Sequence, residues 1–115
     1  MNSVNPYDKA HELSRAMVKS DVYRRYVVAK KEVAKNSEAE QRVLVFRKLQ
    51  MEVNQAQMLG QEVTELKITH LSLEFARLNQ DQVIGEFLNA EGLFIQMFTD
   101  IQQIIQRAIE SGFEE

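Results

Sequence analysis

The chain has 115 residues, a formal net charge of −3 and no cysteine. This length fits one domain with its own core, and the missing cysteines exclude disulfides, thiolate metal sites, iron–sulfur ligation by this chain and a cysteine nucleophile. The acidic charge gives the whole molecule no attraction to nucleic acid or to an anionic membrane. No signal segment opens the chain and no apolar run approaches the ~20 residues of a membrane span, so we expect a cytoplasmic protein.

The composition favours helices along the whole chain. Only four glycines and one proline are present, and good helix formers such as Glu, Gln, Lys, Leu and Ala are abundant. No segment shows the alternation of apolar and polar residues that is typical of strands. We therefore predict an all-α protein whose residues 1–115 form a single helical domain.

Caps and breakers predict about five helices. Asn5 with Pro6 is typical of a helix start, and Ser37 with Glu40 has the form of a capping box. Gly60 is suited to end a helix because glycine adopts the left-handed conformation easily, and Thr64 can cap the next helix. The predicted helices span approximately residues 6–20, 21–35, 38–59, 65–79 and 82–110.

The last helix carries a seam of mostly apolar residues that alternate steps of three and four, which is the spacing of a heptad repeat. At ~1.5 Å per residue this helix is about 42 Å long, whereas a compact globule of this size is roughly 35 Å across. We therefore predict an elongated helical bundle in which the third and last helices are long and antiparallel. The predicted bundle self-associates into a homo-oligomer, either a dimer or a tetramer.

The predicted oligomer or partner interface lies on the third and last helices. Glu91 interrupts the apolar seam, and two interpretations stay open: a buried carboxylate that selects register or partner, or a rim residue whose charge reaches water or an arginine such as Arg47 or Arg77. The predicted interface residues are Phe46, Leu49, Val53, Phe87, Glu91, Phe94, Phe98, Ile101 and Ile105.

No motif in the sequence indicates catalysis. His11-Glu12 begins like a zinc-protease motif, but Arg15 stands where the second histidine is needed, and His70 comes far later in the chain. No glycine-rich phosphate loop and no nucleophile elbow occur. We therefore predict no enzyme activity, and no catalytic, metal or cofactor-binding residues.

The helix over residues 19–35 is locally basic and carries two tyrosines. Phosphate contact combined with aromatic stacking on single-stranded RNA is one interpretation of this pattern, and a solvated helix face is the other. The residues of the alternative RNA-binding prediction are Arg24, Arg25, Lys30 and Lys31.

Several short motifs together cover nearly the whole chain. By them, the sequence resembles the YlbF/YmcA family of small helical bacterial regulatory proteins, and within it the YheA-like branch. The motifs are Asn5-Pro6-Tyr7-Asp8 with Ala10, Phe46-Arg47-Lys48-Leu49-Gln50, Gln57-Met58 followed by Gly60 and Glu62, and Ala90-Glu91.

The resemblance implies a bundle that associates into dimers or larger assemblies, and a regulatory, non-enzymatic role in Gram-positive bacteria. Members of the family act as accessory factors of an endoribonuclease in RNA maturation, and they affect competence, sporulation and biofilm formation. The expected partners are therefore further copies of the chain, related helical proteins or an endoribonuclease. The iron–sulfur clusters of those members depend on cysteines that this chain lacks, so the resemblance implies no cofactor here.

Overall fold

The computed structural model describes residues 4–114, and every regular element among them is an α-helix, which confirms the all-α fold class. Short joints of one to six residues separate the helices. The helices are α1 (Pro6–Lys19), α2 (Asp21–Ala34), α3 (Ser37–Met58), α4 (Glu65–Asn79) and α5 (Gln82–Glu114).

The first joint is made by Ser20. The Asn5 side chain caps α1 by accepting a hydrogen bond from the Tyr7 amide at 2.9 Å, with Pro6 in the first helical position. At the other end Ser20 is extended, and its hydroxyl accepts from the Tyr23 amide at 3.2 Å, which starts α2. One serine thus ends α1 and caps α2.

The start of α3 differs from the sequence prediction. Asn36, and not Ser37, is the capping residue: its side-chain oxygen accepts hydrogen bonds from the amides of Glu38 and Ala39 at 3.0 and 3.1 Å. Asparagine and serine are comparably good capping residues, because the side-chain oxygen of either can accept hydrogen bonds from the second or third amide of a helix. Ser37 is then the first helical residue.

The α3–α4 turn depends on one backbone conformation. α3 ends at Met58, and Gly60 has a φ of +70°, which a residue with a Cβ adopts only with strain. Thr64 then caps α4 by accepting a hydrogen bond from the Lys67 amide at 3.2 Å. At the next joint the Asp81 carboxylate accepts from the amides of Val83 and Ile84 at 3.0 Å each and caps α5.

The contacts divide the chain into two compact units, and α2 and α5 contribute to both. The central unit is Ala29–Asn89, and the terminal unit consists of the described residues of Met1–Val28 and Ala90–Glu115. The prediction of a single domain over residues 1–115 stays a prediction.

The central unit has a core of aliphatic and aromatic side chains from α2, α3, α4 and α5. Phe46 packs against Phe75 with their ring centroids 5.9 Å apart, and the Arg47 guanidinium lies 5.6 Å from the centroid of the Phe87 ring. The buried residues of this unit are Ala29, Val33, Ala39, Val43, Phe46, Val53, Leu78, Ile84 and Phe87.

The terminal unit is built around an aromatic cluster between α2 and α5. Tyr26 stacks on Phe94 with a centroid distance of 5.2 Å, and Tyr23 meets the same ring edge-on at 5.6 Å. Among the described residues of this unit, Ala90 is the one apolar residue that is buried. The unit therefore exposes much of the apolar surface of α5.

Candidate interaction surfaces

From Ile95 onward, α5 exposes a stripe of four apolar residues and one glutamine. Ile95, Phe98, Ile105 and Ile109 are 54, 48, 49 and 66% exposed, and Gln102 lies between them. These five positions, which we call the α5 stripe, follow one another by three, four, three and four residues. They therefore share one face of the helix over roughly 21 Å. Exposed apolar surface of this extent on a helix face is typical of a protein-binding site.

The structure separates the predicted interface residues into three groups. Phe46, Val53 and Phe87 are buried within the central unit, and Leu49 of the same unit is half-buried. In the terminal unit Phe98 and Ile105 belong to the exposed α5 stripe. The remaining predicted residues of that unit are half-buried: Glu91, Phe94 and Ile101.

This distribution divides the apolar band of α5 by exposure. Two rows run side by side on this helix, one through Phe94 and Ile101 and the other through the α5 stripe. The first row is half covered by the chain itself, as the contacts of Tyr23 and Tyr26 with Phe94 show. The α5 stripe keeps its exposure. Whether these residues form an interface stays a prediction.

A cleft of about 650 Å³ lies between α3 and α4 on one side of the central unit. Its floor is apolar, and its rim carries charges of both signs. Ionisable groups at its edge lie close to each other within the chain: His70 Nε2 lies 3.8 Å from Glu74 Oε1, and Arg42 lies 3.6 Å from Asp81. The lining residues are Glu38, Gln41, Arg42, Val45, Phe46, Lys48, Leu49, Glu52, His70, Glu74 and Leu78.

A second, smaller cleft of about 330 Å³ lies between the end of α2, the first half of α3 and the start of α5, within the central unit. Arg47 and Phe87, which contact each other, form part of its wall. It is lined by Lys30, Val33, Ala34, Glu40, Val43, Leu44, Arg47 and Phe87.

The four cations of the RNA-binding prediction all lie on α2 and are exposed. Arg24 and Arg25 belong to the terminal unit, whereas Lys30 and Lys31 belong to the central unit. Arg24 lies 4.0 Å from Asp21, whose side chain is fully exposed, so this ion pair binds the arginine only weakly.

The described residues bring no catalytic constellation together. Within residues 4–114, no three His, Asp or Glu side chains are placed so that they could hold a metal ion. His11 is exposed on α1, and His70 is paired with Glu74 on α4. In the same part of the chain no helix combines the length and the apolar character that crossing a membrane requires.

The fold and these surfaces define a small all-helical protein whose distinctive surface features are apolar helix faces and a helix–helix cleft, as in helical interaction proteins. The family described as "Control of competence regulator ComK, YlbF/YmcA" matches residues 7–110. The chain therefore belongs to the YlbF/YmcA family, and the resemblance seen in the sequence is confirmed.

Relatives from several bacteria match the chain over nearly its full length. A UPF0342 protein of Caldicellulosiruptor saccharolyticus is 32% identical over 106 residues, which is 92% of this chain and 88% of the relative. A UPF0342 protein of Staphylococcus epidermidis is 33% identical over 113 residues, 98% of this chain and 99% of the relative. Gram-positive hosts are thus among the sources of the relatives.

Two solved structures share the fold. A protein of unknown function (DUF964) from Bacillus stearothermophilus superposes with a TM-score of 0.80 and 20% identity, covering 92% of this chain and 94% of that one. A chain from the structure of Bacillus subtilis RicA in complex with RicF superposes with a TM-score of 0.61 and 17% identity, covering 97% and 99% of the two chains.

Proposed function

We propose that this protein is a non-enzymatic regulatory factor that acts by binding other helical proteins, and that the α5 stripe is its docking surface. The exposure of Ile95, Phe98, Ile105 and Ile109 on one helix face is the observation that carries the proposal. The family's description in terms of competence control and the solved RicA–RicF complex support it. The proposed setting is an accessory role in bacterial RNA processing or in the control of competence, sporulation or biofilm formation.

The physical argument is the cost of leaving this stripe in water. Full burial of a large apolar side chain is worth roughly 1.5–3 kcal/mol, so covering the exposed half of four of them contributes about 4 kcal/mol before the entropy of association is subtracted. An amphipathic helix that places its own apolar face on the stripe covers these positions in one step. Proteins that share this helical fold, including family members and a second copy of this chain, are the proposed partners, together with an endoribonuclease.

The test is capture of partners from the native cytoplasm with a tagged full-length chain at moderate salt, with and without ribonuclease treatment. The informative variant is Phe98→Lys with Ile105→Lys, which puts two charges on the stripe. Its matched control is Gln96→Lys with Gln103→Lys, which puts two charges with the same seven-residue spacing on another, exposed face of α5 and keeps a favourable partner for Asp100, to which Gln96 donates a hydrogen bond.

We expect the wild type and the control to retain helical family members or a nuclease after ribonuclease treatment, and the stripe variant to lose them at least tenfold. Circular dichroism checks that all three proteins are equally helical. Equal capture by the stripe variant would contradict the proposed docking surface. Recovery of no protein by the wild type would contradict the interaction function itself.

The second candidate is direct binding of single-stranded RNA through α2. It is supported by the exposure of all four cations, Arg24, Arg25, Lys30 and Lys31. Reversing these four charges should abolish RNA retention, and the same reversal at the exposed Lys67 on α4 is the control. Because phosphate contacts release counterions, wild-type retention should fall steeply between low and moderate salt. Retention that is unaffected by the four reversals would eliminate this candidate.

A further inference from the structure

One row of residues on α3 has the same spacing in both directions. Arg42, Val45, Leu49 and Glu52 follow one another by three, four and three residues, so they share one helix face, and all four line the cleft between α3 and α4. The outer positions are a cation and an anion, and the inner positions are both aliphatic. We call this row the α3 row.

The α3 row is accessible in the single chain. Val45 is 64% exposed, Leu49 is half-buried, and the side chain of Arg42 is 41% exposed. Glu52 is exposed and forms no ion pair with any of the described residues. The row therefore presents two aliphatic side chains between two charges of opposite sign.

The positions of the row are symmetric about residue 47. If a second α3 is laid antiparallel on the first with its midpoint at the same residue, Arg42 faces Glu52 of the partner subunit. Val45 then faces Leu49 of the partner subunit, and each pair occurs twice because the two-fold axis repeats it. A parallel arrangement would instead place Arg42 against Arg42 of the partner subunit and the two Glu52 carboxylates together, which is unfavourable.

We infer that the α3–α4 cleft is a self-association site, in which a second copy of this chain docks its α3 antiparallel along the α3 row. The inference rests on the proposed protein-binding function and deepens it, because it names the occupant of one surface and its register. The aliphatic pairs enter the apolar part of the cleft, and the charge pairs close its two ends.

The charge pairs can form only between subunits. Ten residues separate Arg42 from Glu52, so the two side chains originate about 15 Å apart along the helix axis and do not meet within one chain. Arg42 already lies 3.6 Å from Asp81, and its guanidinium has five N–H donors, enough to pair with both carboxylates. The second carboxylate therefore adds to the first contact and does not replace it.

Lys48 provides an independent check of the register. It lies one residue from the centre of the row and is exposed at the cleft edge, so the two-fold axis brings it next to Lys48 of the partner subunit. The arrangement thus places two like charges next to each other at its centre. Removing the charge by Lys48→Gln should therefore strengthen association severalfold.

The experiment is sedimentation equilibrium of the full chain, with wild type compared against Arg42→Glu and Glu52→Arg. Each single variant places like charges at both ends of the cleft, so we expect the dissociation constant to rise at least tenfold. An equimolar mixture of the two variants restores complementary pairs at both ends, and we expect it to form a heterodimer with nearly wild-type affinity. Glu62→Arg, an exposed charge reversal outside α3, is the control and should associate as the wild type does.

Val45→Glu is a second test of the interface, for the case that the Arg42 variant misfolds. Val45 is exposed in the single chain, so a charge there should disturb the proposed contact and not the fold. We expect it to weaken association to the same degree. A wild type that stays monomeric at high micromolar concentration, single variants that associate normally, or a mixture that does not recover would each overturn the inference. The capture experiment reports on the α5 stripe, so retained capture with a monomeric wild type would refute this site and leave the proposed function standing.

Discussion

Gly85 on α5 lies against the last carbonyl of α4: a Cβ at Gly85 would stand 3.1 Å from the carbonyl oxygen of Asn79. Gly92, one heptad further along the same helix, has nothing within 4 Å of its Cβ position. Alanine in a helix interior is favoured over glycine by about 1 kcal/mol. Gly92→Ala should therefore stabilise the protein by about that amount, whereas Gly85→Ala should destabilise it, because the Asn79 carbonyl must move.

Urea unfolding of the two variants and the wild type, followed by circular dichroism, measures this difference. Each variant is the control for the other, since both substitutions make the same chemical change in the same helix. An equal gain of stability in both variants would show that the carbonyl yields without cost and that Gly85 has no packing role.

The start of α3 gives a second prediction. Because Asn36 accepts hydrogen bonds from the amides of Glu38 and Ala39, Asn36→Ala should cost about 1 kcal/mol of unfolding free energy. Ser37 is the first helical residue, so Ser37→Ala should change the stability by only a few tenths of a kcal/mol, with alanine favoured. Thermal unfolding distinguishes them, at roughly 4 °C or more per kcal/mol for a domain near this size. If Ser37→Ala instead cost more stability than Asn36→Ala, Ser37 would be the capping residue, as the capping-box pattern predicts.

The difference between Asn36 and Ser37 illustrates how far the sequence alone determines this fold. Gly60 and Thr64 are local signals for a helix end and a helix start, and α3 ends at Met58 while α4 begins at Glu65. Asn36 and Ser37 are both good caps in adjacent positions, and the capping-box pattern favoured the serine. Local patterns cannot choose between two such neighbours, because the choice depends on which amides the side chains reach in the folded turn.

The interaction surfaces were less predictable for a different reason. The spacing of three and four residues identifies a helix face, but it does not state whether the same chain covers that face. Phe46 and Phe87 are buried in the core of the central unit, whereas Phe98 and Ile105 are exposed. The spacing of the α3 row can be read from the sequence, but only the structure shows that the row lines a cleft.

The aromatic cluster of the terminal unit gives a third prediction. Phe94 is stacked on Tyr26 and contacts the edge of Tyr23, so Phe94→Leu keeps a half-buried apolar side chain but removes both ring contacts. We expect a loss of about 1–3 kcal/mol, since each aromatic pair is worth about 0.5–1.5 kcal/mol beyond its buried area. The tyrosine bands of the near-ultraviolet circular dichroism spectrum should weaken as well.

Tyr7→Phe is the control for that spectrum. Tyr7 is 77% exposed, so its removal should leave most of the tyrosine signal and the stability unchanged. A Phe94→Leu protein with wild-type stability and an unaltered spectrum would show that the cluster contributes no more than generic apolar contact.

The turn between α3 and α4 gives the fourth prediction, because it sets the hairpin that forms the cleft. Gly60 has a φ of +70° and no neighbour within 4 Å of its Cβ position, so a side chain there meets backbone strain but no clash. Gly60→Ala should lower the unfolding free energy by about 1–2 kcal/mol. Gly60→Asn should lose less, because asparagine tolerates the left-handed region better than alanine. Chemical denaturation of both variants measures the order, and an alanine variant as stable as the asparagine variant would mean that the turn rearranges to a negative φ.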